Sequence, residues 1–297
     1  MCLAMEVDAV VLDIDGVLVD TSNSYDRAVT ETVAHLYDET VGRDEIQLFK
    51  NAGGFNNDWL VTDAISLYVL ATREGFDQSL TAFTDTIAER GGGLDAARSI
   101  LKDCLPPEAI TEIESAWDPA SIRRTFQWLY LGPEAYASLE DEAPPEDKPA
   151  TTGLMYDEPL LISDETRDWL VERYPIGILT GRPRGEAAIA LERIGLEIPA
   201  DRRVTMDDWD SGKPDPAGLI SIASACEATT VAYAGDELDD VRTAVNADTT
   251  DDARGYVGCG VQTGGVTGTE GAARFESVGA AAVLADINEL PGVLSGS

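Results

Sequence analysis

Histidine and cysteine are scarce in this chain of 297 residues, and their scarcity excludes several kinds of site. The single histidine, His35, argues against a Ser-His-Asp triad, and it falls in an amphipathic helical stretch where we expect a surface or boundary residue. The cysteines are widely spaced and form no C-x-x-C pair, which excludes a zinc finger. We therefore expect reduced, packed thiols at Cys2, Cys104, Cys226 and Cys259.

Long apolar runs are also missing. No stretch approaches the roughly 18 apolar residues of a membrane span, and Met1–Glu6 is too short for a secretory signal, so we expect a cytoplasmic protein. Hydrophobic residues still make up 44% of the chain, which excludes global disorder.

Positive charge is the third shortage. The chain has 21 Lys+Arg against 55 Asp+Glu, a formal charge of −34, and only four residues are lysines. This charge repels nucleic acid and anionic lipid, so we expect neither as a partner. Concentrated salt would screen the self-repulsion, and the acidic, lysine-poor composition is typical of proteins from salt-accumulating organisms. Composition leaves the oligomeric state open between monomer and homodimer.

The apolar patterns change along the chain. Residues 7–12 form a short apolar run that predicts a buried parallel strand, and helical spacing then dominates from Ser24 to about Trp128. Residues 140–152 are charged and proline-rich, as in a linker. After about Leu160, β-type runs alternate with helical ones, which is the rhythm of a doubly wound sheet. We predict an α/β protein whose Rossmann-like parallel sheet core comprises residues 1–20 and 156–297, with an inserted all-helical domain at 21–155.

Polar signatures follow four of the predicted strands. Ligands bind at the carboxyl ends of the strands in open parallel sheets, so these signatures are expected to meet at one edge. They are D-I-D-G-V at 13–17, T-G-R-P at 180–183, G-K-P-D-P at 212–216 and G-D-E-L-D-D at 235–240.

These four motifs resemble those of the haloacid dehalogenase (HAD) superfamily: a D-x-D-G start, a Thr or Ser after a strand, a lysine, and G-D-x-x-x-D. The resemblance covers residues 7–20 and 160–265, and it implies that the helical insertion is a cap domain. Within that insertion, residues 50–58 look like a substrate-specificity loop. The chain also resembles a HAD branch in which some members carry an imidazoleglycerol-phosphate name.

The resemblance implies roles for the acids. Asp13 is expected to be the nucleophile that forms an aspartyl-phosphate, and Asp15 the general acid and then base. A carboxylate that attacks a phosphate needs a hard cation, for which Mg²⁺ is expected. Its expected ligands are Asp13, the backbone carbonyl of Asp15, Asp236 and, through water, Asp240. The spacing favours Asp240 over Asp239 without deciding between them.

The other expected site residues bind the phosphoryl group or the rest of the substrate. Thr180 and the Gly181 amide would donate to phosphoryl oxygens, and Lys213 would neutralise charge. Substrate contacts are predicted for Arg182, Lys50, Asn56 and Asn57. For the last two, an alternative is capping of the helix that begins near Trp59. Residues 248–254 are predicted to be a solvated acidic loop, and the glycine-rich tract 255–271 a loop and strand edge without a nucleotide cradle.

The function predicted from these residues is a Mg²⁺-dependent phosphatase that acts on a small phosphorylated metabolite through an aspartyl-phosphate. A phosphosugar mutase of the β-phosphoglucomutase type shares all the motifs and stays open. A 2-haloacid dehalogenase needs neither the second acid nor a metal, so Asp15 and Asp236 argue against it. A non-catalytic binding protein would be expected to lack one of these residues, and none is missing.

Overall fold

A computed structural model describes residues 5–55, 57–140, 142, 152–209 and 211–296. Contacts divide the chain into two compact units, Met1–Ser22 with Glu158–Ser297, and Asn23–Asp157. These bounds lie close to the predicted division, and the assignment of the units as core and cap stays a prediction. Most of the predicted linker, at residues 141 and 143–151, lies outside the described residues.

Two strands, β1 (Met5–Val7) and β2 (Ala9–Leu12), occupy the segment predicted as one strand. The break falls at Asp8, whose carboxylate accepts hydrogen bonds at 3.0 Å from the backbone N–H groups of both Thr229 and Thr230. A side chain engaged in this way ties the segment to the start of a later strand. The single strand predicted over residues 7–12 is therefore wrong in its continuity.

The second unit is helical, as its spacing predicted. Its helices are α1 (Ser24–Tyr37), α2 (Arg43–Ala52), α3 (Asp58–Arg73), α4 (Leu80–Glu89), α5 (Gly93–Cys104), α6 (Pro107–Ala116) and α7 (Pro119–Leu139).

Local sequence signals set the ends of these helices. Asp118 caps α7 by accepting hydrogen bonds from the backbone N–H groups of its first turn, and Pro119 occupies the first helical position. Gly132 kinks the same helix, because its φ of 75° lies in the left-handed region and Pro133 follows.

The first unit continues after the helices. Its elements are α8 (Asp164–Arg173), β3 (Ile176–Leu179), α9 (Arg184–Ile194), β4 (Arg203–Val204), α10 (Ala217–Ala225), β5 (Thr230–Gly235), α11 (Leu238–Thr250), β6 (Gly255–Val261), α12 (Gly268–Ser277), β7 (Ala282–Leu284), α13 (Leu290–Val293) and β8 (Leu294–Gly296).

Six strands form one parallel sheet in the order β4-β3-β2-β5-β6-β7, while β1 pairs with β8 separately. The chain moves outward from β2 through β3 to β4, and then returns to the other side of β2 with β5. The carboxyl ends of β2 and β5 therefore meet where the winding reverses, the place where open α/β sheets bind ligands. The predicted α/β fold, with the N-terminal strand inside the later sheet, is confirmed.

Side chains of β2 alternate between two apolar clusters, one on each face of the sheet. Val10 and Leu12 pack with residues of α8 and α9, whereas Ala9 and Val11 pack with residues of α10 and α11. Burial on both faces explains why this strand is apolar at every position.

The predictions for the glycine-rich tract, the acidic loop and the cysteines are partly wrong, whereas the one for His35 is confirmed. The glycine-rich tract was expected to reach a strand edge, but β6 lies between β5 and β7. The predicted acidic loop at 248–254 is helical as far as Thr250. His35 is exposed as expected. Among the described cysteines none is in a disulfide, but only Cys226 and Cys259 are packed, since Cys104 is exposed.

Within the described part of the chain, no helix combines the length and the apolar character that a membrane span needs.

Candidate active site

The reversal point of the sheet carries two acids. Asp13 directly follows β2, and its backbone N–H donates a 3.0 Å hydrogen bond to the carbonyl of Ala234 in β5. Asp236 directly follows β5. Parallel pairing in register, with Leu12 opposite Ala234, thus brings residues more than 200 positions apart in the sequence to one edge.

Lys213 lies between two carboxylates. Its Nζ is 2.5 Å from Oδ2 of Asp13 and 2.7 Å from Oδ1 of Asp240. All three side chains are largely buried, so the ammonium and the acids have little water to solvate them. Burial alone would lower the pKa of Lys213, but the charges of Asp13 and Asp240 raise it well above its ordinary value. The lysine is therefore a permanent cation beside Asp13.

Asp13, Asp236 and Asp240 form a group of acids with one oxygen of each within 4.8 Å of the others. Without a bound cation, burial and the neighbouring acids raise the pKa of Asp13 to about 7, although Lys213 lowers it. The same two causes raise the pKa of Asp236 to about 9. Three crowded oxygen donors, two of which pair with the single ammonium of Lys213, are the kind of donor set that a hard divalent cation stabilises. The residues present fit such a cation.

Two glycines crowd the Asp236 carboxylate. A Cβ on either Gly16 or Gly264 would collide with it. Gly16 also has φ of 65°, which only glycine adopts at low cost, and the Thr263 hydroxyl donates to its carbonyl. Because neither glycine has a side chain, the backbone at both positions can lie directly against the Asp236 carboxylate.

Asp239 and Asp240 differ in their burial and their partners. Asp240 is buried, and it accepts a 2.9 Å hydrogen bond at Oδ2 from the backbone N–H of Glu237 and a 2.7 Å bond at Oδ1 from the Tyr233 hydroxyl. Asp239 instead pairs with Arg242 at the surface. Burial, with the charge of Asp240, raises the pKa of Tyr233 well above its usual range, so the hydroxyl stays protonated and donates.

Asp15 is held by an arginine. Nε of Arg182 donates a 2.5 Å hydrogen bond to Oδ1 of Asp15, and its Nη2 donates a 3.0 Å bond to Oε2 of Glu158. The Arg182 side chain is fully buried. The sequence predicts a substrate contact for this residue, whereas its guanidinium is engaged with two acids of the same unit.

Thr180 and Gly181 follow β3, at the same edge of the sheet as Asp13. Thr180 is buried, and its Oγ1 accepts a 3.2 Å hydrogen bond from the backbone N–H of Arg182. A Cβ added to Gly181 would meet open space, so its backbone is exposed to an approaching ligand. Donation by both residues to a phosphoryl group stays a prediction.

The candidate substrate residues at 50–57 belong to the helical unit. Lys50 is in the last turn of α2 and pairs with Asp26 at 3.2 Å and with Asp58 at 3.1 Å. Asn57 is the N-cap of α3, because its side-chain oxygen accepts a 3.0 Å bond from the backbone N–H of Leu60. Asn56 lies outside the described residues. The segment is thus partly helical where a continuous loop was expected, and the capping alternative holds for Asn57.

Sequence reasoning overlooked Tyr233, Glu158 and Gly264. Tyr233 was hidden in an apolar strand, where only its hydroxyl distinguishes it from a core residue. Glu158 is a fully buried acid in a chain with 55 acids, so nothing in the sequence marks it. Gly264 is one glycine in a glycine-rich tract, and its proximity to Asp236 appears only in three dimensions.

Comparisons with known proteins agree with this fold. Residues 164–250 match the haloacid dehalogenase-like hydrolase family. The solved structure of phosphatase Tt82 from Thermococcus thioreducens is similar over 97% of this chain and 98% of that chain, with a TM-score of 0.65 and 21% identity.

Two curated relatives match parts of the chain. Imidazoleglycerol-phosphate dehydratase from Phytophthora nicotianae is 26% identical over 242 residues, which are 80% of this chain and 41% of that protein. Validoxylamine A 7'-phosphate phosphatase from Streptomyces hygroscopicus subsp. limoneus is 42% identical over 53 residues, which are 18% of this chain and 25% of that protein. The chain thus spans less than half the length of either relative. Residues 164–250, which include Thr180, Lys213 and the acids that follow β5, thus resemble the haloacid dehalogenase-like hydrolase family.

Proposed function

We propose that this protein is a Mg²⁺-dependent phosphatase that hydrolyses a small phosphorylated metabolite through an aspartyl-phosphate on Asp13. The observation that carries the proposal is the buried contact of Asp13 with Lys213, beside Asp236 and Asp240, at the reversal point of the sheet. A nucleophile, a fixed cation and further acids in one place are what phosphoryl transfer to a carboxylate requires.

The proposed reaction has two steps. An oxygen of Asp13 attacks phosphorus and forms an acyl phosphate while the bond to the leaving oxygen breaks, and Asp15 donates its proton to that oxygen. Asp15, now ionised, then takes a proton from water, whose oxygen attacks the same phosphorus. Inorganic phosphate leaves, Asp13 regains its carboxylate, and Asp15 regains its proton.

Fixed donors would stabilise the charge of the phosphoryl group. The Lys213 ammonium lies within hydrogen-bond distance of Asp13, so it is near any phosphorus that Asp13 attacks. The Thr180 hydroxyl and the Gly181 N–H are proposed to donate to the phosphoryl oxygens, as donors that need no rearrangement during the reaction.

The carboxylates of Asp13 and Asp236, the backbone carbonyl of Asp15 and, through water, Asp240 are proposed to hold Mg²⁺. When bound, the ion neutralises charge between the nucleophile and the phosphate. Asp240 accepts hydrogen bonds from the Tyr233 hydroxyl and the backbone N–H of Glu237. These bonds support a second role for Asp240, which is to orient Lys213.

A small substrate is supported by the curated relative that is named for a phosphorylated small molecule, validoxylamine A 7'-phosphate. Substrate contacts of Lys50, Asn56 and Asn57, the cytoplasmic location and a halophilic source are kept as predictions.

The decisive experiment replaces the nucleophile. Asp13→Asn should abolish Mg²⁺-dependent hydrolysis of p-nitrophenyl phosphate, because the amide is a poor nucleophile, while circular dichroism stays that of the wild type. Asp239→Asn is the matched control, since this acid pairs with Arg242 at the surface. Wild-type turnover by Asp13→Asn would refute the proposal.

The fate of the phosphoryl group separates the phosphatase from a mutase. Incubation with hexose 1-phosphate should release inorganic phosphate, and accumulation of an isomeric hexose phosphate would identify a mutase instead. Absence of Mg²⁺-dependent hydrolysis across a panel of phosphorylated metabolites in molar KCl would favour a non-catalytic binding protein.

A further inference from the structure

A fully buried arginine, Arg182, is hydrogen-bonded to Asp15, the proposed general acid. The side chains of Arg182 and Glu158 are both 0% exposed, and they are joined by the 3.0 Å bond from Nη2 of Arg182 to Oε2 of Glu158. Burying a guanidinium is costly unless carboxylates compensate its charge, and here Asp15 and Glu158 do so together. Such a group is held in place by its partners.

The backbone and the second acid fix this arginine further. The backbone N–H of Arg182 donates to Oγ1 of Thr180 at 3.2 Å, and its carbonyl accepts a 3.0 Å bond from the N–H of Met206. Glu158 is itself anchored, because Nη2 of Arg193 donates a 2.5 Å bond to its backbone carbonyl. A connected chain of contacts thus runs from α9 through Glu158 and Arg182 to Asp15.

The guanidinium meets Asp15 at one oxygen. Nε donates to Oδ1, while the Asp15 side chain keeps 32% of its surface exposed. A planar guanidinium binds carboxylates in a fixed orientation, which a flexible ammonium does not reproduce. With Oδ1 held by Arg182, the movement of the carboxyl group is restricted, and Oδ2 is the oxygen that Arg182 leaves to exchange a proton.

We propose that Arg182, supported by Glu158, is a positioning residue that orients Asp15 for proton transfer to the leaving group. This inference rests on the proposed function, and it replaces the substrate contact predicted for Arg182 from sequence. It predicts that loss of Arg182 lowers kcat/KM most for substrates whose leaving oxygen needs a proton.

The test uses substituted phenyl phosphates of nearly equal size, ranging from 4-nitrophenyl to unsubstituted phenyl phosphate. We expect kcat/KM of Arg182→Gln to fall about 100-fold for phenyl phosphate, because a displaced general acid loses much of its effect, and less than about 5-fold for 4-nitrophenyl phosphate. Asp15→Asn supplies the reference for complete loss of the acid, and should show the same steepened dependence on the leaving group.

Arg184→Gln is the matched control. It makes the same change two residues further on, where Arg184 is largely exposed and pairs with Asp208, and it should keep the wild-type dependence. Equal losses of Arg182→Gln on every substrate would mean a merely structural role and would overturn the inference. A rise in KM alone, equal for all substrates, would indicate a phosphate contact and would also overturn it.

Two milder variants cover the case in which Arg182→Gln does not fold. Arg182→Lys keeps the charge without the planar geometry, and Glu158→Gln keeps an oxygen that accepts from Nη2. Both should steepen the leaving-group dependence to an intermediate degree, and wild-type dependence in both would overturn the inference. If the wild type hydrolyses no substrate, or if Asp13→Asn stays active, the proposed function itself has failed; an active wild type with unaltered slopes in the variants refutes only the role of Arg182.

Discussion

The hydroxyl of Tyr233 donates a 2.7 Å hydrogen bond to Oδ1 of Asp240, the same oxygen that lies 2.7 Å from Nζ of Lys213. A strand residue with its side chain in the core thus reaches, through one acid, the cation beside Asp13. Asp240 has a second anchor in the backbone N–H of Glu237 at the start of α11. The position of Lys213 therefore depends on β5 and on the helix that follows it.

Tyr233→Phe should lower kcat about 3- to 30-fold with little change in KM, because Asp240 loses one of the bonds that orient it toward Lys213. Loss of a hydrogen bond to a charged group should also cost about 1.5–3 kcal/mol of unfolding free energy. Steady-state kinetics and urea unfolding measure the two effects.

Tyr256→Phe provides a matched control for this change. The Tyr256 hydroxyl also donates a 2.7 Å bond to a carboxylate, that of Asp251, which belongs to no part of the candidate site. This variant should lose stability and keep its kcat. An unchanged kcat in Tyr233→Phe would contradict the prediction.

Mg²⁺ should raise the melting temperature of the wild type, since a ligand that binds only the folded state stabilises it by about 2.7 kcal/mol at one hundred times its Kd. Asp236→Asn should lose this increment together with activity, because one carboxylate of the acidic group is gone. Thermal unfolding with and without Mg²⁺ measures the shift. The surface variant Asp239→Asn should retain it, and an equal shift in Asp236→Asn would show that Mg²⁺ binds elsewhere.

Gly264→Ala should reduce Mg²⁺-dependent activity at least about 10-fold, because the new methyl group would displace the Asp236 carboxylate, and small displacements in a catalytic site are costly. The next residue offers the control: a Cβ on Gly265 meets nothing within 4 Å, so Gly265→Ala should behave as wild type. Comparable activity of the two variants would disprove the close approach of Gly264 to Asp236.

Asp63 in α3 makes stability depend on pH. Burial raises the pKa of this acid from 3.8 to about 6, although Nε1 of Trp117 donates to it. The folded state therefore binds this proton more tightly than the unfolded state does. The stability that Asp63 contributes is present at low pH and is lost as the pH rises from about 3.8 toward 6.

Asp63→Asn removes this loss and keeps an oxygen to accept from Trp117. At pH 7 the variant should be more stable than the wild type by about 1–3 kcal/mol, with the advantage shrinking toward pH 4.5. Urea unfolding across this pH range measures the difference. Asp85→Asn, in an exposed acid of α4, should show no such trend, and a constant or inverted difference for Asp63→Asn would contradict the assignment.

Salt should stabilise the protein through its net charge of −34. Self-repulsion acts over about 10 Å at 0.1 M salt and over about 3 Å at 1 M, so the melting temperature should rise steeply as KCl is added from dilute buffer to about 1 M. Differential scanning calorimetry in a KCl series checks this. Equal melting temperatures at the two ends would mean that the charge pattern carries no adaptation to salt.

Much of the first unit could be predicted from local patterns, since apolar β-type runs alternate with helices and polar motifs follow the strands. The break at Asp8 could not, because an acid inside an apolar run is explained only by Thr229 and Thr230, which lie far along the chain. The helical content of residues 50–52 was also misjudged. Gly53 and Gly54 favoured a loop over the whole of residues 50–58, but α2 continues to Ala52.

Within the candidate site, the sequence by itself determined which chemical groups were available: Asp13, Asp15, Thr180, Lys213 and Asp236 all follow recognisable strand or motif patterns. Only the tertiary structure decided which of two adjacent acids is buried, and that Arg182 faces Asp15. Sequence spacing could not distinguish Asp240 from Asp239, because they are adjacent in the chain. They differ in the structure because Lys213 and Tyr233, which belong to other elements, contact Asp240. Those contacts arise from strand order and burial, which act between segments that the sequence presents far apart.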